Sequence, residues 1–358
     1  MIKYRYEFCN FASLKVLRII GYPFSLLYAG LTAIRNRLYD RGALKSFSFK
    51  VPVIVVGNLS VGGSGKTPQI EYLVRLLSAR YGLAVLSRGY KRKSKGFLLA
   101  DKTATALSLG DEPFQYYQKF TNIKVAVDED RVRGIATLLQ AKEQPEVVLL
   151  DDAFQHRRLK AGLTILLTPY HRLYIDDAML PFGELRESAT GAKRAHIIIV
   201  TKCPENLTEE KQQAIVARLK PAPSQAVYFT AIDYENELRG AGSIPLASLP
   251  QYEVLLVTGI ANPTPLLNFL KAHKVQVCHL KYPDHHFFTE KDIRKINSTF
   301  AKLKSSHKLM LTTEKDYVRI SDQLEGLYYL PIRTKFIHQQ TQFDNNIINY
   351  VEQGSRNS

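Results

Sequence analysis

A strand followed at once by a glycine-rich loop and a helix constrains this chain more than any other feature. Residues 51–56 read VPVIVV, an apolar and mostly β-branched run that is typical of a buried parallel strand. The loop that follows consists of Ser60, Val61, Gly62, Gly63, Ser64 and Gly65, and it ends at Lys66 and Thr67. Glycines let successive backbone N–H groups point at one anion, and the positive end of the next helix faces the same place. We therefore expect residues 60–67 to bind the phosphates of a nucleotide.

The loop matches the Walker A spacing G-x-x-x-x-G-K-[ST] at every position except the first, where Ser60 replaces the usual glycine. A chance match in an ordinary loop is the alternative. The order of strand, loop and helix favours the nucleotide-binding interpretation.

Length, cysteine content and net charge limit the possible domain count, compartment and partners of this chain. Its 358 residues are enough for about two domains. The three cysteines are too few and too scattered for a disulfide framework, which fits a reducing compartment. A net charge of +16 indicates an anionic partner, such as phosphate, nucleic acid or a membrane surface. The basic run at 87–95 occurs once and is not interleaved with aromatic residues, so we expect no nucleic acid.

The N-terminal region favours a membrane surface. Residues 12–34 are largely apolar but are interrupted by Lys15, Arg18 and Pro23, and the uninterrupted part is shorter than the ~20 residues of a spanning helix. Up to Lys45 there are eight Lys or Arg residues against two acids, a balance that suits a helix lying on an anionic bilayer. An amphipathic helix packed on the protein's own core is the alternative.

Two pairs of acids are candidates for chemistry. Asp111 and Glu112 stand at a predicted loop-to-helix junction, where one could take a proton and the other hold a metal ion, although helix capping would explain one of them. Asp151 and Asp152 follow the apolar run at 147–150, which is the Walker B pattern. A carboxylate at the end of such a strand can hold Mg²⁺ directly or through water.

The neighbouring residues favour ATP as the nucleotide. Gln155 and His156 follow the second acid pair and place an amide and an imidazole near the γ-phosphate position. The segment Thr201-Lys202-Cys203-Pro204 is similar to the guanine-reading element of GTPases, but Pro204 stands where that element needs an aspartate. Val61 also replaces the extra lysine of membrane-cycling ATPases of the MinD type, which weakens that interpretation.

The fold class predicted is α/β, with a P-loop NTPase-like three-layer domain, a mostly parallel sheet and a second, smaller α/β domain. The predicted divisions are an N-terminal membrane-associated helical region at 1–45, a kinase domain at 46–225, a ribbon or linker at 226–250, the smaller domain at 251–350 and a disordered tail at 351–358. The smaller domain carries Asp284, His285 and His286. These residues could bind metal, transfer protons or merely make hydrogen bonds within a loop.

The motifs, taken in order, resemble the tetraacyldisaccharide 4'-kinase family of lipid A biosynthesis. The segments that carry the resemblance are VGNLSVGGSGKTP, SRGY, GDEP, DDAFQH, VTGIANP, PDHHFF and LTTEKD. It implies ATP, Mg²⁺, a glycolipid acceptor (the tetraacyldisaccharide 1-phosphate) phosphorylated at its 4'-hydroxyl, and a site at the cytoplasmic face of the bacterial inner membrane, without an obligate protein partner. It also implies that Asp111, paired with His285, acts on the sugar hydroxyl, and that Glu112, Asp151, Asp152 and Thr67 serve the metal.

Small departures from the family pattern and two rival functions remain. Ala153 and Lys91 stand where glycine is frequent in the family, and neither change removes a reactive group. The rivals are a membrane-associated P-loop ATPase or GTPase without a sugar acceptor, and a kinase of a soluble acceptor. The kinase reading predicts that the two domains close over the nucleotide.

Overall fold

Helices and strands alternate through most of this computed structural model, which describes residues 21–284 and 286–356. The helices are α1 Tyr22–Asp40, α2 Lys66–Leu77, α3 Ala106–Leu109, α4 Asp111–Lys119, α5 Arg131–Leu138, α6 Glu209–Leu219, α7 Thr264–Ala272, α8 Glu290–Ala301, α9 Glu314–Ile320 and α10 Gln340–Arg356. The strands are β1 Val53–Asn58, β2 Leu83–Ser87, β3 Leu98–Leu99, β4 Lys124–Val127, β5 Val147–Asp151, β6 Leu163–Pro169, β7 Ile197–Thr201, β8 Ala226–Tyr234, β9 Glu237–Gly240, β10 Ile244–Pro245, β11 Glu253–Thr258, β12 Gln276–Lys281, β13 Lys308–Thr313, β14 Leu327–Leu330 and β15 Ile332–Phe336. The α/β class predicted from the sequence is confirmed.

The described residues form two compact units whose boundaries differ from the predicted divisions. The first unit contains residues 21–88, 128–231 and 335–356, and the second contains 89–127 and 232–334. The segment 89–127 had been assigned to the kinase domain, and it groups instead with the second unit. The segment 226–231, predicted as a strand-like part of the ribbon or linker, is the first part of β8 and pairs with β7 in the first unit.

The first unit is built on a parallel sheet with the order β8-β7-β6-β1-β5-β2. Strands β1, β5 and β7 are buried at every position, which explains their nearly continuous apolar sequences. Because β1 lies between β5 and β6, the loop after β1 and the acids after β5 leave the same edge of the sheet. The pairing of Val56 with Asp151 sets this register.

The C-terminal helix α10 replaces the tail that was predicted to be disordered from residue 351. Phe343, Ile347 and Val351 are completely buried and lie four residues apart, on one face of the helix. Tyr350 binds both backbone groups of Val53, since its hydroxyl donates to the carbonyl oxygen and accepts from the N–H at 3.1 Å each. These contacts hold residues 340–356 against the first strand, so the prediction of disorder was wrong for 351–356.

The second unit has its own sheet, in the order β10-β9-β14-β13-β11-β12. Strands β12, β11, β13 and β14 run parallel, and β9 joins β14 in the antiparallel direction. The three strands predicted near 253–257, 276–280 and 308–312 are confirmed. Two apolar clusters, one on each side of β11, form the core of this unit.

Helix α1 has two chemically distinct faces. Its polar face contacts the segment 182–186 of the same unit. Ser25 Oγ accepts from the N–H of Phe182 at 2.9 Å, and Tyr28 donates to the carbonyl of Arg186 at 3.0 Å. Large apolar side chains cover the opposite face and are exposed, namely Phe24, Leu27, Leu31, Ile34 and Leu38. The helix therefore does not pack an apolar face on the protein's own core. Within the described residues, no helix combines the length and apolarity that a bilayer span needs.

Candidate active site

The phosphate-binding loop has the predicted backbone. Lys66 and Thr67 are the first two residues of α2, and Gly65 precedes them with φ +86°. Gly62 has φ +100°, so two positions of the loop adopt conformations that favour glycine. These glycines turn the chain sharply enough for the N–H groups at the start of α2 to face the loop.

Neighbouring loops fix the P-loop backbone from outside. The N–H of Val61 donates to the carbonyl of Glu184 at 2.8 Å, and Ser60 forms an antiparallel β-bridge with Leu185. Thr201 Oγ1 donates to the carbonyl of Ser64 at 2.7 Å, and Lys202 Nζ donates to the carbonyl of Gly63 at 2.5 Å. The loop is therefore held in shape before any phosphate arrives.

Lys66 and Asp152 come together as predicted. Lys66 Nζ lies 3.8 Å from Asp152 Oδ2 and donates to Asn58 Oδ1 at 3.2 Å. Arg186 completes this cluster with a bidentate pair to Asp152, at 2.7 and 3.1 Å, and a hydrogen bond to Asn58. A planar guanidinium suits both carboxylate and phosphate groups. The cluster thus contains cations that could bind phosphate, held by a carboxylate that could bind metal.

Asp151 and Asp152 lie at the C-terminal end of β5, at the edge of the sheet. Asp151 is 4% exposed and accepts from Ser87 Oγ at 3.4 Å. Asp152 follows with φ +50° and donates its N–H to the carbonyl of Val56. Burial by itself would raise the pKa of Asp152, but the charges of Lys66 and Arg186 outweigh it and hold that pKa below its ordinary value. Asp152 is therefore ionised at neutral pH.

Arg131 lies beneath these acids. It is 4% exposed and donates to the carbonyl of Asp152 at 3.2 Å. Burial lowers its pKa to about 10, while the nearby carboxylates of Asp152 and Asp151 oppose that effect. Arg131 is still charged at neutral pH and supplies positive potential behind the acid pair.

Gln155 and His156 brace the loop after β5. Gln155 Nε2 donates to the carbonyl of Asn58 at 2.8 Å and to Glu187 Oε1 at 3.1 Å. His156 Nε2 lies 3.7 Å from Asp130 Oδ1. Burial, together with the charge of Arg131, lowers the pKa of His156 to about 4. The imidazole is therefore neutral at pH 7, and it can accept or donate one hydrogen bond without adding charge.

Asp111 and Glu112 open α4, in the second unit, at the predicted loop-to-helix junction. Asp111 Oδ2 accepts from Arg319 Nε at 2.8 Å and Nη2 at 2.6 Å. Glu112 Oε1 lies 3.4 Å from Lys315 Nζ. Both basic residues belong to α9, so the helix that follows the LTTEKD segment holds these two acids. His285, the predicted partner of Asp111, lies outside the described residues.

Mg²⁺ suits the donors at the end of β5. Within residues 21–284 and 286–356, no three His, Cys, Asp or Glu side chains converge on one point that could hold a metal. Magnesium commonly takes one or two carboxylates and completes its shell with nucleotide and water oxygens. The hydroxyl of Thr67 and the carboxylates of Asp151 and Asp152 are hard oxygen donors of that kind, and they fit the ion.

The sequence alone does not reveal the arginines and the second lysine of this site. Arg186, Arg131, Lys202 and Arg319 all contact predicted site residues, yet each is distant in sequence from the residue it binds. Lys202 was noticed only for a guanine-reading role. Burial and the charge of Lys66 lower the pKa of Lys202, which places its ammonium in the same positive field. Because the two members of each pair are far apart in the sequence, no local sequence pattern could reveal them.

Comparisons with known proteins show which family this chain resembles. The model of the tetraacyldisaccharide-1-P 4'-kinase family (LpxK) matches residues 17–352. A tetraacyldisaccharide 4'-kinase of Flavobacterium johnsoniae is 52% identical over 95% of this chain and 99% of its own, and one of Bacteroides thetaiotaomicron is 48% identical over 94% of each. The crystal structure of the "apo" form of LpxK from Aquifex aeolicus in complex with ATP superposes with a TM-score of 0.76, at 31% identity, over 94% of this chain and 99% of that one.

Proposed function

Because the chain belongs to the tetraacyldisaccharide-1-P 4'-kinase family, we propose that it transfers the γ-phosphate of ATP to the 4'-hydroxyl of a tetraacylated glucosamine disaccharide 1-phosphate. The product would be the bisphosphorylated lipid A precursor, lipid IVA. The observation that carries the proposal is the meeting of Lys66, Asp152 and Arg186 at the start of α2. That arrangement combines a phosphate cradle with an ionised acid for the metal.

The residues of the first unit would bind the nucleotide. The amides of residues 60–67 and the ammonium of Lys66 would hold the β- and γ-phosphates, with Gln155 and His156 bracing the loop beside the transferring group. Thr67, Asp151 and Asp152 would hold Mg²⁺, together with Glu112. When bound, the ion neutralises charge that develops on the phosphate oxygens.

Asp111 would receive the proton of the sugar hydroxyl, with His285 as its partner. Proton removal by a positioned carboxylate makes the attacking oxygen a better nucleophile as the bond to phosphorus forms. Support comes from the second unit, where Asp316 binds the N–H of Gly259 at 2.9 Å and Pro283 and His286 lie beside the same glycine. Pro283 and His286 thus lie near α9, whose Arg319 binds Asp111.

The outer face of α1 supports a lipid acceptor and a membrane surface. Leu27 and Leu31 are 62% and 59% exposed, and they share their face with three other large apolar residues. An apolar stripe of this length is unusual on a surface that only meets water. Arg35, Arg37 and Arg41 add positive charge at the same end of the chain, which suits an anionic leaflet. We place the enzyme at the cytoplasmic face of the bacterial inner membrane, where ATP is available.

Transfer of label from γ-labelled ATP to the lipid tests the proposal. The full chain, Mg²⁺ and the tetraacyldisaccharide 1-phosphate in mixed micelles should give a lipid labelled at the 4' position. Lys66→Met should abolish labelling, and Asp111→Asn should lower kcat by at least ~100-fold, the scale of general-base loss. The exposed residues Lys211 and Asp322 provide matched controls, Lys211→Met and Asp322→Asn, which should keep wild-type turnover.

Three outcomes would overturn the proposal. Rapid ATP hydrolysis that is independent of the lipid would indicate a membrane-associated ATPase. Label on a water-soluble sugar in preference to the lipid would indicate a soluble acceptor. Label at another hydroxyl of the disaccharide would contradict the assigned position.

A further inference from the structure

The LTTEKD segment forms the start of a short helix with a completely buried acid. Thr313 caps α9 by accepting from the N–H of Asp316 at 3.1 Å, and Asp316 has 0% exposure. Its Oδ2 accepts from Thr313 Oγ1 at 2.7 Å and from the N–H of Gly259 at 2.9 Å. Burial raises the pKa of Asp316, and these donors together with Arg319 oppose that effect. A carboxylate this deeply buried is retained only where several partners satisfy it.

Arg319 connects this buried acid to Asp111. Its side chain is 9% exposed, and Nη1 donates to Asp316 Oδ1 at 3.1 Å and to the carbonyl of Gly259 at 3.5 Å. The other edge of the guanidinium meets Asp111 Oδ2 through Nε and Nη2, at 2.8 and 2.6 Å. Because the guanidinium is planar, fixing one edge on Asp316 also fixes the direction of the edge that meets Asp111.

Two further ion pairs hold α4 on α9 rather than holding the carboxylate of Asp111. Lys119 Nζ lies 2.5 Å from Glu314 Oε1, and both side chains are 8% exposed. The pair between Glu112 and Lys315 is longer and more exposed. The buried pair anchors the far end of α4 on α9, so α4 can stay in place when the contact at Asp111 changes.

We propose that Arg319, held by Asp316, is a positioning residue that orients the carboxylate of Asp111 for proton transfer from the acceptor hydroxyl. The inference deepens the proposed function and depends on it, because Asp111 must be the proton acceptor there. Arg319 itself carries no proton through the reaction, since its guanidinium stays protonated. Nε and Nη2 of Arg319 both donate to Oδ2 of Asp111, which fixes the plane of that carboxylate and with it the orientation in which a hydroxyl is received.

The test is the separation of kcat from KM in the full chain, with the lipid acceptor. In Arg319→Met, kcat should fall at least ~10-fold because the base is no longer oriented. KM for ATP should be unchanged. Arg319→Lys keeps the positive charge but loses the two-pronged guanidinium contact with Asp111, so kcat should still fall in that variant. Asp316→Asn should reproduce the fall in kcat.

A matched control separates positioning from general loss of structure. Arg333 binds Glu235 at 2.8 Å in the same unit and is half exposed, so Arg333→Met removes a comparable ion pair away from Asp111. It should leave both kcat and KM for ATP unchanged. If Arg319→Met does not fold, the lysine and asparagine variants still decide the question through kcat.

Failure of this inference is distinguishable from failure of the proposed function. A wild-type chain that does not label the lipid would overturn the proposed function. An Asp111→Asn variant with full turnover would overturn Asp111 as the proton acceptor. Wild-type labelling and an inactive Asp111→Asn, combined with wild-type kcat in Arg319→Met, would overturn the positioning role alone.

Discussion

Replacing Leu27 and Leu31 together by serine should detach the protein from anionic vesicles. These side chains are 62% and 59% exposed on the outer face of α1, so about 60% of each remains to be buried when the helix enters a bilayer. Full burial of a leucine is worth ~1.5–3 kcal/mol, and the exposed part is therefore worth ~1–2 kcal/mol. The pair should contribute ~2–4 kcal/mol, which corresponds to a loss of about 30-fold to 1,000-fold in partitioning.

The assay is co-sedimentation of the full chain with vesicles of phosphatidylethanolamine and phosphatidylglycerol. The double variant should remain in the supernatant at lipid concentrations that sediment wild type. Its free energy of unfolding should be nearly unchanged, because both side chains are already exposed in the folded protein. The matched control is Leu107→Ser in the second unit, where a leucine is 49% exposed away from α1, and this variant should sediment like wild type.

The same variants distinguish membrane binding from catalysis. The double variant should raise the apparent KM for the lipid acceptor in vesicles and leave KM for ATP unaltered. Equal sedimentation of wild type and double variant, at low and at high salt, would refute the assignment of the outer face of α1 to a bilayer.

Three further predictions follow from particular residues. Gly57→Ala should destabilise the protein by ~1–3 kcal/mol in urea unfolding, because the new Cβ would lie 2.7 Å from Cβ of Phe154; Gly30→Ala, which meets no atom of the described residues within 4 Å, should not destabilise it. The folded-state pKa of about 4 for His156 lies below its ordinary 6.5, so the free energy of unfolding should fall as pH decreases between those values, and His156→Gln should flatten that dependence; parallel curves for the two proteins would contradict the lowered pKa of His156. Arg186→Lys should lower kcat at least ~10-fold, because a lysine cannot keep the bidentate pair, and unchanged turnover would exclude a role for the fork.

The sequence predicts those parts of the fold whose signals are local. The apolar run before the loop, its glycines and the residues that open α2 lie within one short segment, and the structure places β1 and α2 there. Asp151 and Asp152 follow a buried strand, and parallel pairing then determines where they lie. Strand β6 was missed although its sequence, LTILLTP, is apolar enough to have been recognised. Helix α10 was missed because polar residues separate its buried positions.

The rest depends on contacts between distant positions, which no local pattern specifies. Arg186 is 128 residues from Asn58, and Arg319 is 208 residues from Asp111. An arginine in a sequence rich in basic residues gives no indication of which carboxylate it meets, because surface and site arginines look alike. The side chains of Arg319 and Arg186 are 9% and 24% exposed, and the sequence gives no indication of that burial. The second unit likewise draws segment 89–127 from the middle of the chain, which composition does not reveal.

The charges around the P-loop prepare it for an anion. Four cations lie near the loop, namely Lys66, Arg131, Arg186 and Lys202; the acids there are Asp151, Asp152 and Glu184, and Glu184 is paired with Arg172. Burial and repulsion from Lys66 lower the pKa of Lys202. The charges of Lys66, Arg186 and Arg131 keep the half-buried Asp152 ionised. An incoming polyphosphate would add negative charge, and the donors would need little reorganisation because backbone contacts already hold the loop. The cations that would attract a polyphosphate therefore also keep Asp152 ionised.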